Sequence, residues 1–225
     1  MSTAIQNAIL RIQSSLPATA QLVAVSKTFP ESDIEQAYAV GVRDFAENKV
    51  QELTGKYEHL PKDIRWHFIG HLQTNKIKYI APFVHLVHGV DSLKLLVAIN
   101  REAVKNNRTI PCLLQFHIAQ EETKFGLTLS EAEELLQSED YKNLQNIEIH
   151  GVMGMASYSD NEAQVSAEFQ ELAEIFKTLK TKFFADKAYC TELSMGMSHD
   201  YHIALQHGAT LLRIGSVIFG GRNYN

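Results

Sequence analysis

The sequence predicts a single-domain (β/α)8 barrel with one extra helix at its N-terminus, and three observations carry that reading. Eight short apolar runs alternate with helix-like segments along the 225 residues. The Asn-Gly and Asp-Gly dipeptides that close tight hairpins are absent, so the strands are joined by crossovers and lie parallel. Neither a G-x-G-x-x-G fingerprint nor a Pro- or Ser-rich linker interrupts the chain. That favours a closed barrel over an open doubly wound sheet, and one domain over residues 1–225.

Taken in order, Ile5, Ile9, Ile12 and Leu16 follow helical spacing and mark the extra helix. The first strand covers 22–27, in Leu22-Val23-Ala24-Val25-Ser26-Lys27-Thr28. A helix at 31–40 follows, where Ser32 and Glu35 are spaced as a capping box and Gly41 is the stop. The second strand, 43–46, leads through Glu47-Asn48-Lys49 to a helix at 50–60. The third, 65–70, precedes a helix at 73–81, and the fourth, 85–90, precedes a long helix capped by Ser92. The fifth covers 110–118, with Ser130 and Glu133 as the capping box of its helix. The sixth, 147–153, is followed by a helix whose Phe169, Leu172, Ala173, Phe176 and Leu179 form one apolar stripe. The seventh, 188–193, precedes a short helix at 200–207, and the eighth covers 211–215.

Composition narrows the function classes. A net charge of −5 leaves no basic footprint for nucleic acid. No apolar stretch reaches the ~20 residues that span a bilayer, and residues 1–16 lack the pattern of a signal peptide. Cys112 and Cys190 fall inside apparent strands and form no metal-type pair, so a reduced, cytoplasmic protein is expected. The ten histidines form no H-E-x-x-H, and neither a P-loop nor a G-x-S-x-G elbow is present, so no metal site is expected.

In such a barrel, chemistry collects at the C-terminal strand ends and the loops beyond them. Those positions hold Lys27, then Glu47 and Asn48, His67 to Gly70, His88 and Asp91, Lys124 and Gly126, Met153 to Ser157, Ser194 to Ser198, and Arg213 to Ser216. Lys27 ends an apolar strand, where desolvation would free its amine for Schiff-base chemistry; the plainer alternative is a lysine reaching solvent. The glycine- and serine-bearing loops after strands seven and eight are of the kind that binds phosphate through backbone N–H groups. A phosphate-bearing aldehyde such as pyridoxal 5′-phosphate (PLP) would satisfy both ends of such a site. Plainer readings stand beside each residue: Ser198 and Asn48 as helix caps, Gly215 as a strand bend, Arg213 as an ion pair, His67 and Met153 as core.

Six ordered motifs then carry a resemblance: Ala24-Val25-Ser26-Lys27-Thr28; Glu47-Asn48-Lys49-Val50-Gln51-Glu52; Trp66 through Lys76; Gly151-Val152-Met153-Gly154-Met155; Leu193-Ser194-Met195-Gly196-Met197-Ser198; and Arg213 through Gly220. In these the chain resembles the pyridoxal-phosphate homeostasis proteins (the YggS/PROSC group). The resemblance implies a barrel like the N-terminal domain of alanine racemase, of the fold type III PLP proteins. It implies PLP held as a Schiff base on Lys27, with Arg213 facing the pyridine nitrogen. It further implies Ser198, Gly215 and Ser216 on the phosphate with Ser194 close by, and Asn48, His67 and Met153 lining the ring pocket. Lys124 is placed near the phenolic oxygen. Ala46 and the stretch 117–121 depart from the family pattern and bear on the pocket edge.

The function so implied is PLP binding in intracellular PLP homeostasis, and thereby amino-acid and keto-acid balance, without catalytic turnover. Physiological recipients would be PLP-dependent apo-enzymes or regulators, and a monomer is expected. A racemase-like enzyme is the alternative; it needs a second base opposite Lys27, and nothing in the sequence recommends Tyr158 or Tyr201 for it. A third is an aldolase with Lys27 acting directly on a sugar phosphate.

Overall fold

The computed structural model describes residues 2–120 and 125–221. Eight parallel strands close into a barrel in sequential order. They are β1 (Gln21–Val25), β2 (Asp44–Glu47), β3 (Arg65–Phe68), β4 (Leu86–Val90), β5 (Ile110–Phe116), β6 (Ile147–Gly154), β7 (Glu192–Ser194) and β8 (Leu211–Ile214). Closure pairs β1 with β8, in the register Gln21 with Leu211 through Ala24 with Ile214.

The helices are α1 (Ala4–Ser15), α2 (Glu31–Ala39), α3 (Val50–His59), α4 (Ile77–Ile80, entered through a 3-10 turn at Thr74–Lys76), α5 (Leu93–Lys105), α6 (Leu129–Gln137), α7 (Glu139–Lys142), α8 (Glu162–Phe183), α9 (Tyr201–Gln206) and α10 (Ser216–Phe219). The extra helix α1 opens on a capping box between Thr3 and Gln6, buries Ile9 and Ile12, and packs on α2 and α10. The apolar side chains divide in two, as alternation along a barrel strand requires. Val23, Val25, Ala46, Leu86, Leu113, Met153 and Leu211 fill the interior. The larger set, with Phe45, Trp66, Phe68, Phe116 and Phe169, lies between strands and helices.

The departures from expectation are local. Ser32 lies inside α2, whose N-cap is Pro30 without a side-chain bond. The capping box of α6 is Thr128 with Glu131, two residues before the expected pair. Strand β7 begins at Glu192, because a turn closed by the Cys190 amide on the Lys187 carbonyl occupies 187–190. Cys190 is thus buried beside the barrel but outside a strand, while Cys112 lies in β5 as expected.

Candidate functional site

Lys27 stands half-buried two residues past the end of β1, on a turn closed by the Phe29 amide donating to the Ser26 carbonyl at 3.1 Å. That turn is pinned from α3 and β2. Lys56 Nζ donates to the Ser26 carbonyl at 2.9 Å, Glu47 Oε1 at 2.7 Å and Glu52 Oε1 at 2.9 Å. All three ammonium hydrogens are thereby used. Ser26 Oγ donates to the same Glu47 oxygen at 2.7 Å, and the Thr28 amide to Glu52 Oε1 at 2.5 Å. Thr28 is held at φ 71°, a left-handed conformation that costs an L-residue about 1–2 kcal/mol. Burial pushes the Glu47 carboxyl up to about 7, against the pull of Lys56. Lys56 escaped the sequence reading, although the Glu52–Lys56 spacing of four on one helix face is a signal that could have found it.

Across the β1–β8 seam, the loops after β7 and β8 meet. The Gly215 amide donates to Ser198 Oγ at 3.2 Å, joining two residues expected at a phosphate. Ser198 therefore does not cap the following helix; Asp200 holds that position and accepts from the Met197 amide at 2.5 Å. A Cβ on Gly215 would come within 3.0 Å of the Val25 carbonyl oxygen, so the β8 loop lies directly against the end of β1. Ser216 and Val217 are exposed at the rim. As the first residues of α10, they have N–H groups without intrahelical partners.

Arg213 is buried in the interior. Its Nη1 donates to Ser194 Oγ at 2.6 Å and its Nη2 to the Gly154 carbonyl at 3.0 Å, so it is not the strand-end ion pair of the plainer reading. Burial pulls its pKa down to about 10, with Asp200 opposing, so the guanidinium is charged at neutral pH. Ser194 is fully buried and engaged by Arg213 and His88. Met153 packs in the interior cluster, and Asn48 follows β2, half-buried; α3 is capped by Lys49, not by Asn48.

His67 stands apart from this mouth. Its Nε2 is 3.0 Å from Asp44 Oδ1, and its Nδ1 is 2.8 Å from His88 Nε2. Both ring nitrogens are thus engaged inside the barrel, and Asp44 is the first residue of β2, at the N-terminal mouth. Against the cost of burial, hydrogen bonds from His67 and Arg65 hold the Asp44 carboxyl well below the ordinary carboxylate range. The donor atoms of Asp44, His67 and His85 lie within 4.8 Å of one another. Asp44, however, already accepts from Arg65 Nε at 2.7 Å, from Arg65 Nη2 and from Gln21 Nε2. With a guanidinium seated on its carboxylate, that grouping is a hydrogen-bond network and not a cation cage. Lys124 lies outside the described residues.

The family model for the alanine racemase N-terminal domain matches residues 2–223. A pyridoxal phosphate homeostasis protein of Aquifex aeolicus is 39% identical over 207 residues, covering 91% of this chain and 88% of the relative. The chain belongs to the pyridoxal phosphate homeostasis protein family. Among solved structures, PipY of Synechococcus elongatus without PLP matches this family member with a TM-score of 0.89 at 33% identity, covering 96% of this chain and 100% of PipY. PipY with PLP bound matches with a TM-score of 0.84. An alanine racemase of Clostridium difficile shares the fold at TM-score 0.75 and 12% identity, with 57% of its length covered. No helix among the described residues is long and apolar enough to cross a membrane.

Proposed function

We propose that this chain binds PLP at the C-terminal mouth with Lys27 as the covalent attachment point, and that it serves intracellular PLP homeostasis without turnover. The observation that carries this reading is the Ser198–Gly215 contact across the seam from Lys27, over the buried Arg213 cation. PipY with PLP bound and the homeostasis-protein relatives support it. The residues fit the group: a primary amine on a pinned turn, two loops with hydroxyls and N–H groups at an exposed rim, and a buried guanidinium held by Ser194 and the Gly154 carbonyl inside the barrel. PLP supplies an electrophilic aldehyde and an aromatic ring that can draw off electrons.

The chain's own groups do the rest. Ser198, Gly215 and Ser216 bind the phosphate oxygens, and Asn48 and Met153 border the ring. Arg213 would face the pyridine nitrogen and, because a guanidinium does not give up its proton at neutral pH, would leave it unprotonated. A guanidinium in that role would weaken the electron-withdrawing power of the group, which suits storage and delivery to apo-enzymes better than racemisation. We read the protein as a cytoplasmic monomer of one domain.

The test is the visible spectrum of purified protein mixed with PLP, before and after borohydride. A visible absorption band is expected that borohydride abolishes while fixing the cofactor covalently to the Lys27 peptide, and Lys27→Ala should lose both the band and the adduct. A colourless protein that takes up no PLP overturns the reading; alanine racemisation abolished by Lys27→Ala overturns the non-catalytic part.

A further inference from the structure

Five polar residues inside the barrel form one continuous chain that runs from Arg213 to Asp44 at the N-terminal mouth. Arg213 Nη1 meets Ser194 Oγ at 2.6 Å, Ser194 Oγ meets His88 Nδ1 at 2.9 Å, His88 Nε2 meets His67 Nδ1 at 2.8 Å, and His67 Nε2 meets Asp44 Oδ1 at 3.0 Å. Ser194, His67, His88, Arg213 and Asp44 are all buried.

With one N–H on each imidazole, the two ends settle the direction of every bond. Asp44 carries a carboxylate that can only accept, so His67 donates from Nε2 and its Nδ1 is bare. His88 then donates from Nε2 to that nitrogen, which leaves its own Nδ1 to accept the Ser194 hydroxyl hydrogen. Ser194 Oγ in turn accepts from Arg213, which can only donate. Every donor in the series points from Arg213 toward Asp44, and in a low-dielectric interior such bonds polarise one another.

We infer that Asp44, His67 and His88 are positioning residues for Arg213: through the Ser194 hydroxyl they orient its guanidinium, and they give it a counter-charge from the opposite mouth of the barrel. Only the consequence for bound PLP rests on the function proposed above; the direction of the chain stands on the protein alone. Burial is what keeps His88 neutral in this arrangement. Other titratable groups face Asp44 as well: the Arg65 cation pairs with it, and His85 lies close by. Arg65 partly neutralises Asp44 and so opposes its effect on Arg213.

Two measurements test this. The first is 15N NMR of the ligand-free protein at pH 8, which reads each histidine tautomer. The expected result is bare Nδ1 and protonated Nε2 on both His67 and His88; a proton on Nδ1 of either ring overturns the chain. The second is the visible absorption maximum of the PLP-loaded protein in two variants. Asp44→Asn removes the counter-charge, while Arg65→Gln leaves Asp44 uncompensated, so the band should move in opposite directions. Movement in one direction for both, or none, overturns the link to the cofactor side. Failure to load PLP at all overturns the function proposed above and leaves the NMR result standing.

Discussion

Lys56 is the residue on which the position of Lys27 rests, because one buried ammonium holds the carbonyl of the preceding residue and two carboxylates at once. Removing it strands Glu47, which is fully buried with Oε2 lacking any partner among the described residues. Leaving one partner of a buried pair uncompensated typically costs ~3–5 kcal/mol. Lys56→Met should therefore lower unfolding free energy by about 3 kcal/mol in urea titration and weaken PLP uptake. Converting Glu47 to Gln in that background should recover part of the stability, since no bare charge is left behind. At this scale the clustering of Lys27, Ser198, Gly215 and Arg213 at strand ends was legible, because motifs in sequence order mark those positions. The partners of Lys27's turn were not, because only the packing of α3 on β1 and β2 brings Lys56 under Ser26. The partners of His67 were not legible either, since a histidine inside an apolar run carries no sign of which mouth its nitrogens face.

Among the elements, β6 carries the strictest requirement. Register between β5 and β6 shifts after Cys112, which pairs with Ile149, to Leu113, which pairs with Gly151. His150 is the extra residue of this bulge, and Gly151 follows it at φ 154°. A Cβ there would lie 1.8 Å from the Glu192 carbonyl oxygen in β7. Gly151→Ala should cost about 3 kcal/mol or more, a loss of the size reserved for backbone collisions, seen as a lowered urea midpoint. A milder effect is expected at the helix cap: Thr128→Ala should cost about 1 kcal/mol by the same measurement. The caps also show where local reading stops. Thr128-x-x-Glu131 and Ser130-x-x-Glu133 match the same pattern two residues apart, and only the first begins a helix that turns Ala132, Leu135 and Leu136 inward. Strand count and order were legible from alternation, whereas the three-residue β7 was displaced by an apolar stretch that folds as a turn.

For the molecule as a whole, the pH response is set by the buried His88 and Glu47 together with His85, an exposed residue whose ring is partly desolvated. Burial and neighbouring His67 lower His85 from 6.5 to about 4, and burial lowers His88 well below 6.5. Between those values and 6.5 the unfolded chain binds more protons, so this stability is complete above 6.5 and lost as pH falls. Glu47, raised from 4.5 to about 7, acts in the opposite sense: its contribution is complete below 4.5 and lost as pH rises through 7. With two histidines against one carboxyl, the melting midpoint should fall from pH 7 to pH 5, and Glu47→Gln should make that fall steeper in scanning fluorimetry. The closed barrel was legible from the number of alternations. Its hydrogen-bonded interior was not, because strand periodicity separates inside from outside but does not distinguish a polar interior from an apolar one.

The β1–β8 seam has a consequence for the timing of synthesis. Lys27 follows the first strand to leave the ribosome, whereas Gly215 and Ser216 follow the last, so the two halves of the mouth meet only when the sheet closes on itself. A nascent or truncated chain has the amine without the cradle, and a ligand that needs both recognises finished molecules only. Such a ligand acts as a clasp, adding ~2.7 kcal/mol of stability at one hundred times its dissociation constant. On the function proposed here, adding PLP should slow amide hydrogen exchange most along β1 and β8, as read by mass spectrometry, and should change it least in α5 on the far side of the ring.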